Sequence, residues 1–150
     1  MISGNGGEGG PPYSIITMST DLPSAKPVRW IGRSLGDLRA FPREARREIG
    51  YALQFAQMGD KHPSAKSLKG FGGASVLEIV EDFDGSTYRA VYTVRFSGAV
   101  YVLHCFQKKS KSGIATPKHE IELIKKRFKR AEEDHRAREK NGRDDHENLA

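Results

Sequence analysis

Residues 77–107 read LEIVEDFDGSTYRAVYTVRFSGAVYVLHCFQ, and the spacing of turn residues within them decides the fold. Leu77, Ile79 and Phe83 alternate with Glu78 and Asp82, the period of a strand with one buried face. Asp84-Gly85 is a two-residue hairpin signal, so the chain is expected to return as a strand over Tyr88–Arg95. Ser97-Gly98 marks a second tight turn into Val100–Gln107. The stretch therefore predicts a three-stranded antiparallel meander. Counting outward from the first turn pairs Ile79 with Ala90 and Leu77 with Tyr92. Counting from the second pairs Tyr92 with Leu103, Val91 with His104 and Arg89 with Phe106. Both counts put Tyr101, Leu103 and Cys105 with Leu77, Ile79 and Tyr92 on a core face. Glu78, Arg89, His104 and Lys108 then share the opposite face, and a slip of one residue would exchange the two.

Upstream, Pro27–Ile31 (PVRWI) reads as a first strand. Ser34 with Asp37 three residues on suggests a helix N-cap, and Pro42 opens a second helical stretch carrying Ala45, Ile49, Leu53 and Ala56 at helical spacing until Gly59. Residues between Gly59 and the meander read as a polar loop. Downstream, Thr116 and Pro117 read as the N-cap and first residue of a last helix, with Ile121, Ile124, Phe128 and Ala131 on one face. The order is strand, two helices, three strands, helix, which indicates an α+β domain. Its expected sheet is antiparallel, the first strand beside the meander, with the helical pair before it and one helix after. Residues 1–25 form a Gly/Pro-rich tail expected to be disordered, within which Met18 is an alternative start. Residues 26–131 form the domain, and residues 132–150 a charged helix extension and tail.

The 150 residues carry 25 Lys plus Arg against 19 Asp plus Glu, a net charge of +6, with 37% hydrophobic content. From His104 to Ala131 nine cations face two acids, while the rest of the chain is nearly neutral. The excess thus lies in one strand end, one loop and one helix, the pattern of a phosphate-facing surface; a solvated helix face would leave the same pattern. The single cysteine, Cys105, excludes a disulfide framework and thiolate-pair zinc sites, and fits a reducing cytoplasm. No apolar run approaches the ~20 residues that span a bilayer, so no membrane association is expected.

Arg89, His104 and Lys108 on one sheet face suit a phosphodiester. Arginine offers a planar donor fork, lysine a point charge, and histidine a proton carrier near neutral pH. With these groups RNA cleavage needs neither metal nor cofactor: a base deprotonates the 2′-hydroxyl, cations stabilise the charge at phosphorus, and an acid protonates the leaving 5′-oxygen. The acids are scattered, and the local group Glu81, Asp82 and Asp84 is accounted for by hairpin-end turn chemistry. Each residue also has a plainer reading: a packed histidine at 104, an Arg89–Glu78 cross-strand pair, a charged strand end at Lys108, a small hydrophobe at Cys105.

Leu68-Lys69-Gly70, then Tyr88-Arg89-Ala90-Val91-Tyr92, then Leu103-His104-Cys105-Phe106-Gln107-Lys108-Lys109-Ser110, then Thr116-Pro117 and Glu120-Ile121-Glu122 occur in an order that resembles the HigB-like, phage-related branch of RelE/ParE toxins. The resemblance covers residues 26–131. It implies a compact RelE-like fold, a partner antitoxin of the helix-turn-helix, HigA-like kind, and ribosome-dependent cleavage of messenger RNA without metal. Carried over by motif, Arg89 and Lys69 would hold the scissile phosphate, and Lys108 or Lys109 would bind phosphate or transfer a proton. His104 is a candidate base. Lys109, Lys111, Lys118, Lys125 and Lys126 would contact RNA. RelE itself uses a tyrosine near its chain end, whereas no tyrosine follows Tyr101 here, so the resemblance assigns neither acid nor base. Two further activities compete with the ribonuclease: ParE-like inhibition of DNA gyrase, and non-catalytic nucleic-acid binding by a phage-derived protein.

Overall fold

The computed structural model describes residues 25–73, 75–109 and 116–149. Residues 1–24 of the expected N-terminal tail, and Lys111, lie outside the described residues. In chain order the elements are β1 (Val28–Trp30), α1 (Ser34–Arg39), α2 (Arg43–Gln57), β2 (Ala65–Ser67), β3 (Val76–Phe83), β4 (Ser86–Thr93), β5 (Val100–Lys108) and α3 (Lys118–Leu149). The fold is α+β. Its five strands form one sheet in the order β1-β5-β4-β3-β2. β1 runs parallel to β5, so the sheet is mixed where a wholly antiparallel one was expected. β2, three residues within the presumed polar loop, adds an edge strand through Lys66 opposite Glu78. A segment so short leaves no periodicity to read.

The first hairpin forms in the expected register. Asp84 and Gly85 both take positive φ, 51° and 80°, the conformation a two-residue type I′ turn requires. Leu77 faces Tyr92 and Ile79 faces Ala90.

The second hairpin differs. Val91 pairs with His104 and Arg89 with Phe106, as counted, but Tyr92 pairs with Val102 rather than Leu103. Leu103 is the extra residue of a β-bulge. The cause lies at the end of β4, where the Thr93 hydroxyl donates to the Ser75 carbonyl (2.7 Å) and accepts from the Arg95 amide (3.1 Å). The Val94 amide also bonds to the Ser75 carbonyl. These bonds draw the chain toward the start of β3, so Ser97-Gly98 closes a wider loop instead of a tight turn. Tyr101 and Leu103 are consequently placed on the opposite face from Leu77, Ile79 and Tyr92, while Cys105 stays with them.

Each face of the sheet has its own core. α1 and α2 cover one, with Ile49, Ala52 and Ile79 completely buried. α3 covers the other across β5, where Ile124 and Ala131 are completely buried and Phe128 lies 5.6 Å from Phe96. Two caps differ from expectation. The Ser34 hydroxyl caps nothing and instead donates to the Val102 carbonyl, tying α1 to β5. The Thr116 hydroxyl is likewise turned away from α3, toward the sheet. Among the described residues no helix is long and apolar enough to cross a membrane.

Candidate phosphate-handling site

Cross-strand partners in a sheet share a face, so the registers define the polar surface under α3. One row runs Lys66, Glu78, Val91, His104; the next Val80, Arg89, Phe106; the third Asp82, Thr87, Lys108. Arg89, His104 and Lys108 are on one face, as expected from the turns. Most of that face is closed to solvent: Arg89 is 3% exposed, His104 7% and Glu78 9%.

Arg89 Nη1 lies 3.2 Å from Glu78 Oε2 and donates to Thr116 Oγ1, also at 3.2 Å. The Thr116 hydroxyl in turn donates to Glu78 Oε2 at 2.6 Å. Carboxylate, guanidinium and hydroxyl thus form a closed three-way contact where the chain enters α3. Burying such a pair is costly unless its polar atoms are satisfied, and removing one partner costs about 3–5 kcal/mol.

His104 is held from both ring nitrogens. Its Nδ1 meets Arg127 Nη1 at 3.1 Å, and because a guanidinium only donates, Nδ1 is the acceptor. Its Nε2 therefore carries the proton and donates to Glu120 Oε1 at 2.8 Å. The ring stacks on Phe106 at 4.9 Å. Arg127 also donates to the Leu103 carbonyl at 3.0 Å, a group the bulge exposes to α3. Burial lowers the Arg127 pKa from its ordinary value, with Asp37 opposing. Further along α3, the Tyr101 hydroxyl donates to Asp134 at 2.7 Å. Hydrogen bonding from Arg138 holds that carboxyl below the usual carboxylate range. α3 is thus fastened by Thr116, Glu120, Arg127 and Asp134 in succession.

The other candidate residues spread outward from this centre. Lys69 is exposed in a loop whose neighbours Leu68 and Phe71 pack into the α3-side core. Lys108 is half-buried opposite Thr87, and Lys109 is exposed beyond the strand end. Lys118, Lys125 and Lys126 are exposed on the surface of α3, whose inner side is occupied by Ile121, Ile124 and Phe128. The structure therefore gathers Arg89 and Lys108 on one face and leaves the α3 lysines on a second surface, separated from the first by the helix.

In the sequence Glu78 reads only as an ion-pair partner, and Glu120 and Arg127 read as surface charges with no inward role. A helical signal for the latter two exists: Glu120, Ile124, Arg127 and Ala131 recur at i, i+4, i+7 and i+11, one stripe of a helix. Among the described residues no three His, Cys, Asp or Glu side chains gather in a way that could hold a metal ion.

Residues 36–129 match the phage-derived Gp49-like protein family (DUF891), so the chain belongs to that family. The family in turn belongs to the RelE/HigB-like group of toxins. No curated protein and no solved structure gives a match to the chain.

Proposed function

We propose that this Gp49-like protein is the toxin of a type II toxin–antitoxin pair, of the HigB-like branch, and cleaves messenger RNA on the ribosome without a metal ion. The observation that carries this reading is the Arg89 guanidinium, set against a carboxylate and a hydroxyl on a sheet face of a toxin-group chain. A guanidinium so placed matches the oxygens of a phosphodiester and stabilises the charge that builds at phosphorus during attack. Lys69, Lys108 and Lys109 serve in this reading as further phosphate contacts. Lys109, Lys111, Lys118, Lys125 and Lys126 supply a salt-sensitive attraction toward ribosomal or messenger RNA. His104, engaged at both nitrogens, serves the docking of α3 rather than proton transfer. The partner antitoxin is a helix-turn-helix, HigA-like protein that neutralises the basic surface by charge complementarity.

The test is to induce the protein in growing cells and map RNA 5′ ends, with Arg89→Lys as the comparison. Lysine keeps a cation beside Glu78, whereas alanine would leave a buried carboxylate uncompensated and risk unfolding. New 5′ ends inside translated messages are expected from the wild type, disappearing in Arg89→Lys at equal protein level. Intact messages with gyrase-linked DNA breaks would replace this reading with the ParE-like one. Salt-dependent RNA binding without any cleavage would leave a binding protein.

A further inference from the structure

The contact between Glu78, Arg89 and Thr116 has the arrangement of a loaded site, an interpretation that rests on the proposed ribonuclease activity. A single hydroxyl, Thr116 Oγ1, lies 2.6 Å from a carboxylate oxygen and 3.2 Å from a guanidinium nitrogen. A ribose 2′-hydroxyl poised to attack its neighbouring phosphorus needs the same two neighbours. The carboxylate must receive its proton, and the cation must attend the phosphate oxygens. Glu78 is also the acid that β3 turns directly toward Arg89, and its row continues to Lys66 on the open edge strand and to His104 under α3.

We infer that Glu78 is the general base of the cleavage and that the Thr116 hydroxyl occupies the nucleophile's place while α3 is docked. When the Thr116 end of α3 lifts, the 2′-hydroxyl of the RNA takes the position of Oγ1. A Glu78 oxygen accepts the proton from the 2′-oxygen as that oxygen bonds to phosphorus. The bond from phosphorus to the 5′-oxygen breaks, and the departing oxygen takes a proton from solvent. The products are a 2′,3′-cyclic phosphate and a 5′-hydroxyl end, and Glu78 then releases its proton to water. Arg89 stays with the phosphate oxygens throughout. In the docked form the protein's own hydroxyl completes the buried ion pair, which keeps the two reacting side chains ordered in the absence of RNA.

The experiment measures single-turnover cleavage of a synthetic messenger bound to ribosomes by the full chain. Glu78→Gln is expected to slow cleavage by roughly 100-fold or more, the usual contribution of a general base, with ribosome association unchanged. Glu78→Asp keeps the charge that Arg89 requires and so preserves the fold, yet withdraws the carboxylate and slows the reaction by about tenfold or more. Thr116→Val removes the hydrogen bonds that hold this end of α3 to Glu78 and Arg89, eases its lifting and raises the rate several-fold. A 2′-deoxy nucleotide at the cleaved position stops cleavage by every variant. Wild-type rates from a folded Glu78→Asp or Glu78→Gln protein would overturn the base assignment while leaving the ribonuclease reading intact. Loss of cleavage in folded Thr116→Val would overturn the place-holding role. A wild-type protein that leaves the messenger uncut would overturn this inference and the ribonuclease reading together.

Discussion

At Gly32 the backbone adopts a φ of +59°, and a Cβ there would lie 3.0 Å from both Cζ and Nε of Arg127. The glycine therefore meets two demands at once: left-handed backbone, and room for the guanidinium that bonds to His104 and the Leu103 carbonyl. Gly32→Ala is expected to cost about 1–2 kcal/mol through the left-handed conformation alone. Displacement of Arg127 adds to that cost. The check is a lower urea midpoint at unchanged slope. Combined with Arg127→Met the loss should be less than additive, because both changes release the same contact. Neither role is legible from the residues singly: Arg127 reads as one more cation among Lys125, Lys126 and Lys129, and residue spacing does not tie it to Gly32. Arg89 and Glu78 were readable as a pair because both lie on the hairpin whose turn fixes their register.

The element that decides what the site can do is α3. It docks through apolar side chains on one stripe and through polar groups that reach the sheet at Thr116, Glu120, Arg127 and Asp134. Ile124 is completely buried at the centre of that stripe. Ile124→Ala should cost about 2–5 kcal/mol, and amide exchange measured along the chain should show α3 losing protection before β3 and β4. The helix begins at Lys118, one residue after the expected first position, Pro117, and was itself predictable from its period. Its polar inner edge was not, because the bulge at Leu103 puts both Tyr101 and Leu103 under α3 where straight alternation puts them on the other side. That bulge arises from hydrogen bonds between Thr93 and Ser75, residues 18 apart.

Over the whole molecule, two cores back to back bury three weak acids in their neutral forms. Burial pushes the Cys105 thiol up to about 12 from a reference of 9.0, and the Tyr92 and Tyr101 phenols up to about 12 from 10.0, the Asp134 hydrogen bond adding to the last. In the unfolded chain these groups ionise at their lower reference values and bind fewer protons than the native state above them. Stability is therefore complete below about pH 9 and falls as pH rises toward 12. Thermal melts across that window should show the decline. A thiol reagent at about pH 8 should leave Cys105 unmodified until the protein unfolds. The charge asymmetry is likewise a property of the whole: of the cations counted between His104 and Ala131, the half-buried Arg127 fastens α3, while Lys109, Lys118, Lys125, Lys126, Lys129 and Arg130 face solvent.

The sequence by itself determined the α+β order, the type I′ hairpin, the alignment of Leu77 with Tyr92 and the face shared by Glu78, Arg89 and His104. These depend on local turn chemistry and on a period of two, which act over a few residues. Only the tertiary structure decided that β1 pairs parallel to β5, that Leu103 bulges, and that α3 closes over the polar row with Thr116 against Glu78 and Arg89. Those features come from contacts between segments far apart in the chain, and residue spacing carries no record of them.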